Sequence, residues 1–269
     1  MKKVFRVLAL VLAGIVIFAA ILHSGVGIMH MSLADRPEYP QTDITSILNK
    51  KELTEEDYNT LLMQTGLYKT AVDELRSMGD AQRILKIQKD FFADYEINTE
   101  IFAPFTCYHD MDAFITTAPL ENGDIILSPT THLSFFELGH AALVVDAENG
   151  YVLNSTGYGQ DSCIEPIEEI TCRPRFIVLR PKLSKEERQR AVDNALEMLK
   201  GLPYSISVGI LSPKYAKTPD RTHCSHIIWY AYKTVGLDLD SDGGAVVFPS
   251  DIENSECVEK IQAYGIKLD

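Results

Sequence analysis

The sequence predicts an α+β fold, an antiparallel β-sheet packed against helices, and three observations carry that reading. Amphipathic helical segments fill the stretch before residue 119, short β-branched runs follow, and helical periodicity returns in the last third. The 269 residues, 46% hydrophobic and 23% charged, supply enough apolar material for one sizeable domain with a smaller helical appendage. Twenty-five basic against 38 acidic residues give a net charge of −13, which repels phosphate backbones and argues against nucleic acid as a partner.

Residues 1–29 depart from this body. Lys2, Lys3 and Arg6 precede an uninterrupted apolar run from Val7 to Leu22. A membrane span needs about 20 residues, a length reached here by continuing through His23 and Ser24 to Ile28. The segment reads as a signal-anchor, with a cleaved signal peptide as the alternative. The positive-inside rule then makes the membrane its partner and places the rest of the chain outside the cytoplasm, anchored or secreted. Residues 30–45 are a polar, proline-bearing linker.

Residues 46–118 form the expected helical region. Thr54 with Glu55, Glu56 and Asp57 has the composition of a capped helix start, and Leu61, Leu62 and Leu67 supply an apolar stripe around Gly66. Asp80 caps a second helix, with Ile84, Leu85, Ile87, Phe91 and Phe92 at helical spacing. These stripes read as core. From residue 119 to 269 lies the expected catalytic domain. Strands are predicted at Asp124–Leu127, Ala141–Val145, Tyr151–Leu153 and Phe176–Leu179, with turns at Asn122-Gly123 and Asn149-Gly150. Ser184 and Glu187 make a capping box that opens a helix through Ala191, Ala195 and Leu199 to Gly201. A last helix starts near Cys224 and ends at Gly236, with Ile227, Ile228, Ala231 and Val235 on one face.

The five cysteines, at 107, 163, 172, 224 and 257, have no zinc spacing, so no metal or other cofactor is expected. Outside the cell, four of them could form up to two disulfides, with Cys163 and Cys172 the closest pair in sequence. The acidic stretch Asp238, Asp240, Ser241 and Asp242 before Gly243-Gly244 lacks the spacing and final glutamate of an EF-hand and reads as a solvated turn. Asp124 reads as a strand-start support.

Cys224 stands where a helix should begin, and the free N–H groups and dipole of a helix start favour a thiolate. A thiol nucleophile also needs an imidazole base and a polar group to orient it. Of the seven histidines, His140 opens the apolar run Ala141–Val145, and Asn154 ends the next predicted strand. A tight turn at residues 147–150 would put His140 and Asn154 on opposite faces, so their cooperation requires a wider or bulged connection. His223 and His226 flank Cys224 but point away from it around a helix, which makes both pocket rim or surface.

These strings resemble a known family. Gly201-Leu202-Pro203-Tyr204, then Thr222-His223-Cys224-Ser225-His226, look like the nucleophile unit of NlpC-type papain-like cysteine hydrolases. Gly123-Asp124 before Ile125-Ile126-Leu127, and Gly139-His140 before Ala141-Ala142-Leu143, resemble the same families' Gly-Asp and Gly-His strands. Because the histidine unit comes first, the order resembles the circularly permuted branch, the YiiX and YycO-like proteins related to lecithin retinol acyltransferase. The resemblance covers roughly residues 120–258 and implies a permuted papain-like fold. It implies Cys224 as nucleophile, His140 as base and Asn154 as the orienting group, with Tyr204, Ser225 and His226 near the substrate. Two departures stand out: the permuted relatives often carry Glu at the position of Asn154 and Gln at that of His226.

The resulting expectation is an extracytoplasmic thiol hydrolase, of peptidase or amidase type, that cleaves an amide in cell-wall peptides through an acyl-enzyme. A lipid-directed amidase, esterase or acyltransferase on the same residues is the alternative. A catalytically silent wall-binding module is the third.

Overall fold

The computed structural model describes residues 2–32, 36–99, 107–109, 114–133 and 136–268. Residues 33–35 of the expected linker lie outside the described residues, as do residues 100–106 and 110–113 of the expected helical region and the side chain of Cys107.

In chain order the helices are α1 (Lys2–Ser32), α2 (Thr45–Leu48), α3 (Glu55–Thr65), α4 (Lys69–Ser77), α5 (Ala81–Phe91), α6 (Glu168–Thr171), α7 (Lys185–Met198), α8 (Cys224–Thr234) and α9 (Pro249–Glu253). The strands are β1 (Ile97–Thr99), β2 (Cys107–His109), β3 (Ile125–Ser128), β4 (His132–Leu133), β5 (Phe136–Glu137), β6 (His140–Asp146), β7 (Tyr151–Asn154), β8 (Cys163–Pro166), β9 (Phe176–Pro181) and β10 (Val258–Tyr264). Six strands form one open sheet in the order β10-β9-β3-β6-β7-β8, antiparallel throughout. The fold is mixed α+β, with this sheet between helices.

Both faces of the sheet are covered, and strand alternation decides which residue goes where. Ile125, Leu127, Ala141, Leu143, Leu153, Ile177 and Leu179 join α7 and α8 in one core. Their neighbours Ile126, Ala142, Val144, Val152, Phe176 and Val178 join α3, α4 and α5 in a second. The helical region is thus a structural layer on the face away from α8, rather than a lid over the start of that helix. Local signals fix its helices: Thr54 and Asp57 cap α3 reciprocally, Asp80 accepts from Arg83 N–H at the start of α5, and Gly66 closes α3 at φ +71°. A side chain at Gly66 would collide with the Ala263 carbonyl of β10, so glycine there also sets the approach of α3 to the sheet. The two layers are also joined by charge. Buried Asp124 receives Arg180 Nε and Nη2, each at 2.8 Å, and Arg180 reaches across to Glu74 of α4 at 2.5 Å. Asp124 supports its strand through this pairing and by accepting from Glu121 N–H.

One expectation finds no support and another is corrected. The apolar run Val7–Leu22 lies within α1, but reaching span length requires burying His23 and Ser24 as well. Among the described residues no helix is long and apolar enough to cross a membrane. Cys163 and Cys172 do not pair: both are free thiols, one exposed and one buried, and Cys224 and Cys257 are free as well.

Candidate active site

The site begins with a bulge. Leu143 pairs with Leu153 and Val144 with Val152, but Asp146 pairs with Tyr151, so Val145 is an extra residue in β6. The hairpin is tight, and without the bulge its register would set His140 and Asn154 on opposite faces. With it, they become diagonal neighbours on one face, and His140 Nε2 lies 2.7 Å from Asn154 Oδ1. Gly139, at φ +66°, turns the chain into the strand. A side chain there would press on Pro249 at 3.3 Å, so glycine lets the start of α9 sit against this corner.

The partners of Asn154 decide the state of the imidazole. Its Nδ2 donates to Glu165 Oε2 at 2.7 Å, and a carboxylate can only accept, so the amide orientation is fixed. The Oδ1 already accepts from Ser155 N–H at 2.8 Å and faces the ring as an acceptor. His140 therefore carries its proton on Nε2, and Nδ1 keeps its lone pair for chemistry. Burial holds the imidazole down to about 3, with the charge of Arg173 adding to that effect and the Asn154 hydrogen bond opposing it. At neutral pH the ring is an uncharged base.

Cys224 is the first residue of α8, whose N-cap His223 accepts from His226 N–H. The sulfur accepts from the backbone N–H of Ala141 and of Ser225. The first of these brings it to the end of β6 where His140 emerges, one residue along the chain. The residue whose N–H reaches the sulfur, Ala141, thus directly follows His140 in the chain. The expected thiolate is corrected: Cys224 is 8% exposed, and burial pushes the thiol up, against the two N–H groups and the Arg173 charge that pull it down. A helix start was legible in sequence, whereas the depth of the sulfur was not. Thiol and imidazole are each neutral near pH 7.

The other expected site residues divide. Tyr204 is half-buried, its hydroxyl pushed up mainly by burial, and packs edge-on against Tyr158 with ring centres 5.1 Å apart. Backbone bonds hold it there: Ser205 N–H donates to Thr222 O at 2.7 Å and Thr222 N–H to Pro203 O at 3.1 Å. His226 is corrected from pocket rim to interior. It is 1% exposed, with Nε2 donating to Lys214 O and Nδ1 accepting from Thr222 Oγ1, each at 2.9 Å, which leaves no ring nitrogen for a substrate. His223 is likewise a buried cap. The Ser225 hydroxyl donates to Val247 O at 2.8 Å, and both its side chain and its N–H act on the Cys224 sulfur, lowering that thiol. Asp240, Asp242 and Asp251 gather, but Lys214, Gly243 N–H, Gly244 N–H and Phe248 N–H satisfy them as a turn does.

Two residues escaped the sequence reading. Glu165 lies on the edge strand β8, which ends in proline and lacks an apolar pattern. Arg173 lies in the irregular segment between α6 and β9, where no periodicity applies. It is 4% exposed and its charge reaches His140, Cys224 and Glu165. Beside the corner opens a groove of about 500 Å³, lined largely by Leu127, Pro129, Leu138, Ile177, Phe248 and Pro249.

No family model matches this chain, and no curated protein matches it. Among solved structures it is similar to one described as the crystal structure of metalloprotein yiiX from Escherichia coli O157:H7, DUF1105. That likeness has a TM-score of 0.43 and 17% sequence identity, over 54% of this chain and 99% of that one.

Proposed function

We propose that this protein is a cysteine hydrolase that opens a carboxylic-acid derivative through an acyl-enzyme. The observation that supports this reading is the fixed tautomer of His140, which leaves the Nδ1 lone pair free on the residue next to Ala141, whose N–H reaches the Cys224 sulfur. In the reaction, Nδ1 takes the thiol proton as sulfur attacks the substrate carbonyl. The backbone N–H of Cys224, at the helix start, contributes to holding the resulting oxyanion. His140 returns the proton to the leaving group, the carbonyl re-forms as a thioester, and water activated by the same nitrogen releases the acid and the thiol. Asn154 keeps the ring aimed throughout. It stabilises the transient imidazolium less than a carboxylate in its place would, and the Glu165 charge behind it compensates in part.

For the substrate we favour a cell-wall peptide amide, supported by the resemblance of the Cys224 and His140 strings to NlpC-type hydrolases. The second reading is an acylated or lipid substrate, favoured by the apolar groove beside His140. The basic start and the exposed apolar side chains of α1 support action outside the cytoplasm, where protease added to intact cells would reach the catalytic body. Incubation with wall fragments, and separately with acyl lipids, followed by mass spectrometry decides the class. New peptide products that disappear in Cys224→Ala support the first reading. Products from lipids alone support the second. The absence of any product, or cleavage undiminished by Cys224→Ala, removes the enzyme reading and leaves a silent binding module.

A further inference from the structure

The loop between α7 and α8 holds apolar side chains out into solvent. Leu211 is 82% exposed, more than any other large hydrophobic side chain among the described residues, and Ile210 is 66% and Ile206 43% exposed. Single exposed aliphatics are ordinary, but three on one loop around buried Val208 make a patch where turns usually carry polar residues. The backbone beneath them is pinned. Tyr204 bridges Thr222, and Ser205 N–H donates to Thr222 O at 2.7 Å, which ties the ends of the loop together. At the tip, Ile210 N–H and Leu211 N–H reach Ser207 O at 3.0 and 2.8 Å, and Gly209 N–H reaches Ser212 O at 2.9 Å. A side chain at Gly209 would strike the Ala245 carbonyl, so the loop is seated on the segment before α9. Its return limb is held by Lys214 Nζ on Gly244 O and Tyr230 Oη on Ala216 O, each at 2.6 Å.

Charge and aromatic placement indicate what covers this tip. Residues 200–221 hold Lys200, Lys214, Lys217 and Arg221 against Asp220, a local positive excess in a chain of net charge −13. Asp240 and Asp220 pair with Lys214 and Arg221, while Lys200 and Lys217 stand exposed. Exposed Tyr215 lies on the return limb, and exposed Tyr158 packs against Tyr204 at the other end of the loop. Aliphatic side chains at the point, tyrosines behind them and lysines in the same loop suit an anionic bilayer, with its hydrocarbon, headgroup and phosphate levels. A stable protein partner would need an interface of about 1,000 Å² shaped to the tip. A fluid bilayer accepts any convex apolar point. The exposed apolar side chains of α1 are a second surface of this chain that a bilayer would cover.

We propose that residues 206–211 insert into the interfacial layer of an anionic bilayer and hold the start of α8 at its surface. The return limb of the loop runs into Thr222, two residues before Cys224, so insertion brings that end of the helix to the membrane. The proposal stands apart from the hydrolase reading. Where both hold, the substrates within reach are those displayed at a membrane surface.

The test puts a reporter on the tip of the full-length protein. Trp229 is the one tryptophan of the chain and is buried, so it gives every variant the same background. Leu211→Trp adds a second tryptophan at the tip. Met78→Trp adds one at the exposed end of α4, in the helical layer on the other face of the sheet. Each variant is mixed with vesicles of phosphatidylcholine and phosphatidylglycerol, with and without brominated acyl chains. Because α1 is present in both, it acts on the two alike. The expected result for Leu211→Trp is a blue-shifted emission that brominated lipid quenches, while Met78→Trp keeps its lipid-free emission. Adding Ile210→Ser and Lys217→Glu to Leu211→Trp weakens the quenching. Hydrogen exchange of the wild type reads the same event without a variant: vesicles slow the amides of residues 206–211 and leave those at the end of α4 unchanged. A Leu211→Trp emission unmoved by vesicles, or quenched no more than that of Met78→Trp, overturns the inference. So does lipid-free self-association that Leu211→Ser abolishes, since the tip would then be an interface between copies. Insertion with no cleavage of wall fragments or lipids leaves this inference intact and removes the hydrolase reading.

Discussion

Between pH 7 and pH 5 this protein is expected to lose most of its stability, far more steeply than its acidic side chains alone would cause. Three buried histidines are the reason. Burial lowers His140 and His223 from 6.5 to about 3 and His226 to about 4. A base whose folded value is depressed contributes fully above its unfolded value, where both states are neutral. As pH falls through 6.5, the unfolded chain takes up protons that the folded chain refuses, and stability drops until the folded values are reached. Each proton is worth about 1.4 kcal/mol per pH unit, so three give a slope of about 4 kcal/mol per pH unit near pH 5. Urea unfolding at a series of pH values measures that slope. His223→Asn keeps a cap acceptor for His226 N–H and should remove about one third of it. A flat stability from pH 7 to 5 would mean that these rings are not buried as described.

The second large effect is on catalysis, and it is graded along the chain of groups behind the sulfur. His140→Ala removes the base and should lower kcat/KM by about 10²- to 10⁴-fold. Asn154→Ala leaves a base that is free to change tautomer and turn, a misplacement worth about 10²-fold. Glu165→Gln keeps the shape but no longer dictates which end of the Asn154 amide faces the ring, a loss of about tenfold, the scale of one hydrogen bond. Release of p-nitrophenol from p-nitrophenyl acetate, read with its burst, reports all three. Equal losses, or a Glu165 effect larger than that of His140, would contradict the order.

The sequence carried the fold where a side-chain pattern and a face coincided. β3, β6, β7 and β9 are legible because their residues are apolar and β-branched and are buried on both sides. β10 was missed because Glu259 and Lys260 interrupt its pattern and a register shift follows them. β8 was missed because it is an edge strand, largely exposed and ending in Pro166. Missing β8 also hid Glu165, whose place behind Asn154 depends on the pairing of Asn154 with Cys163. The need for a bulge between His140 and Asn154 followed from parity, but its place at Val145 did not, since nothing in that run of apolar residues marks one of them as extra. Burial was the least legible quantity. It makes the Cys224 thiol neutral where the helix start alone implied a thiolate, and it turns His226 from a rim residue into a core one.

The pairing of Cys224 with His140 is the central claim, and the pH profile of Cys224 alkylation by chloroacetamide tests it most directly. The thiol is raised above its ordinary value of 9.0 and the imidazole lowered to about 3, so a cooperating pair gives base-assisted alkylation over a broad neutral range. Wild type should show a flat arm from about pH 5 to 8 before the thiol itself ionises, and His140→Gln should lose that arm and fall about tenfold or more near neutrality. A wild-type profile with only a single rise above pH 9, superimposable on that of His140→Gln, would show that the sulfur and the imidazole act apart.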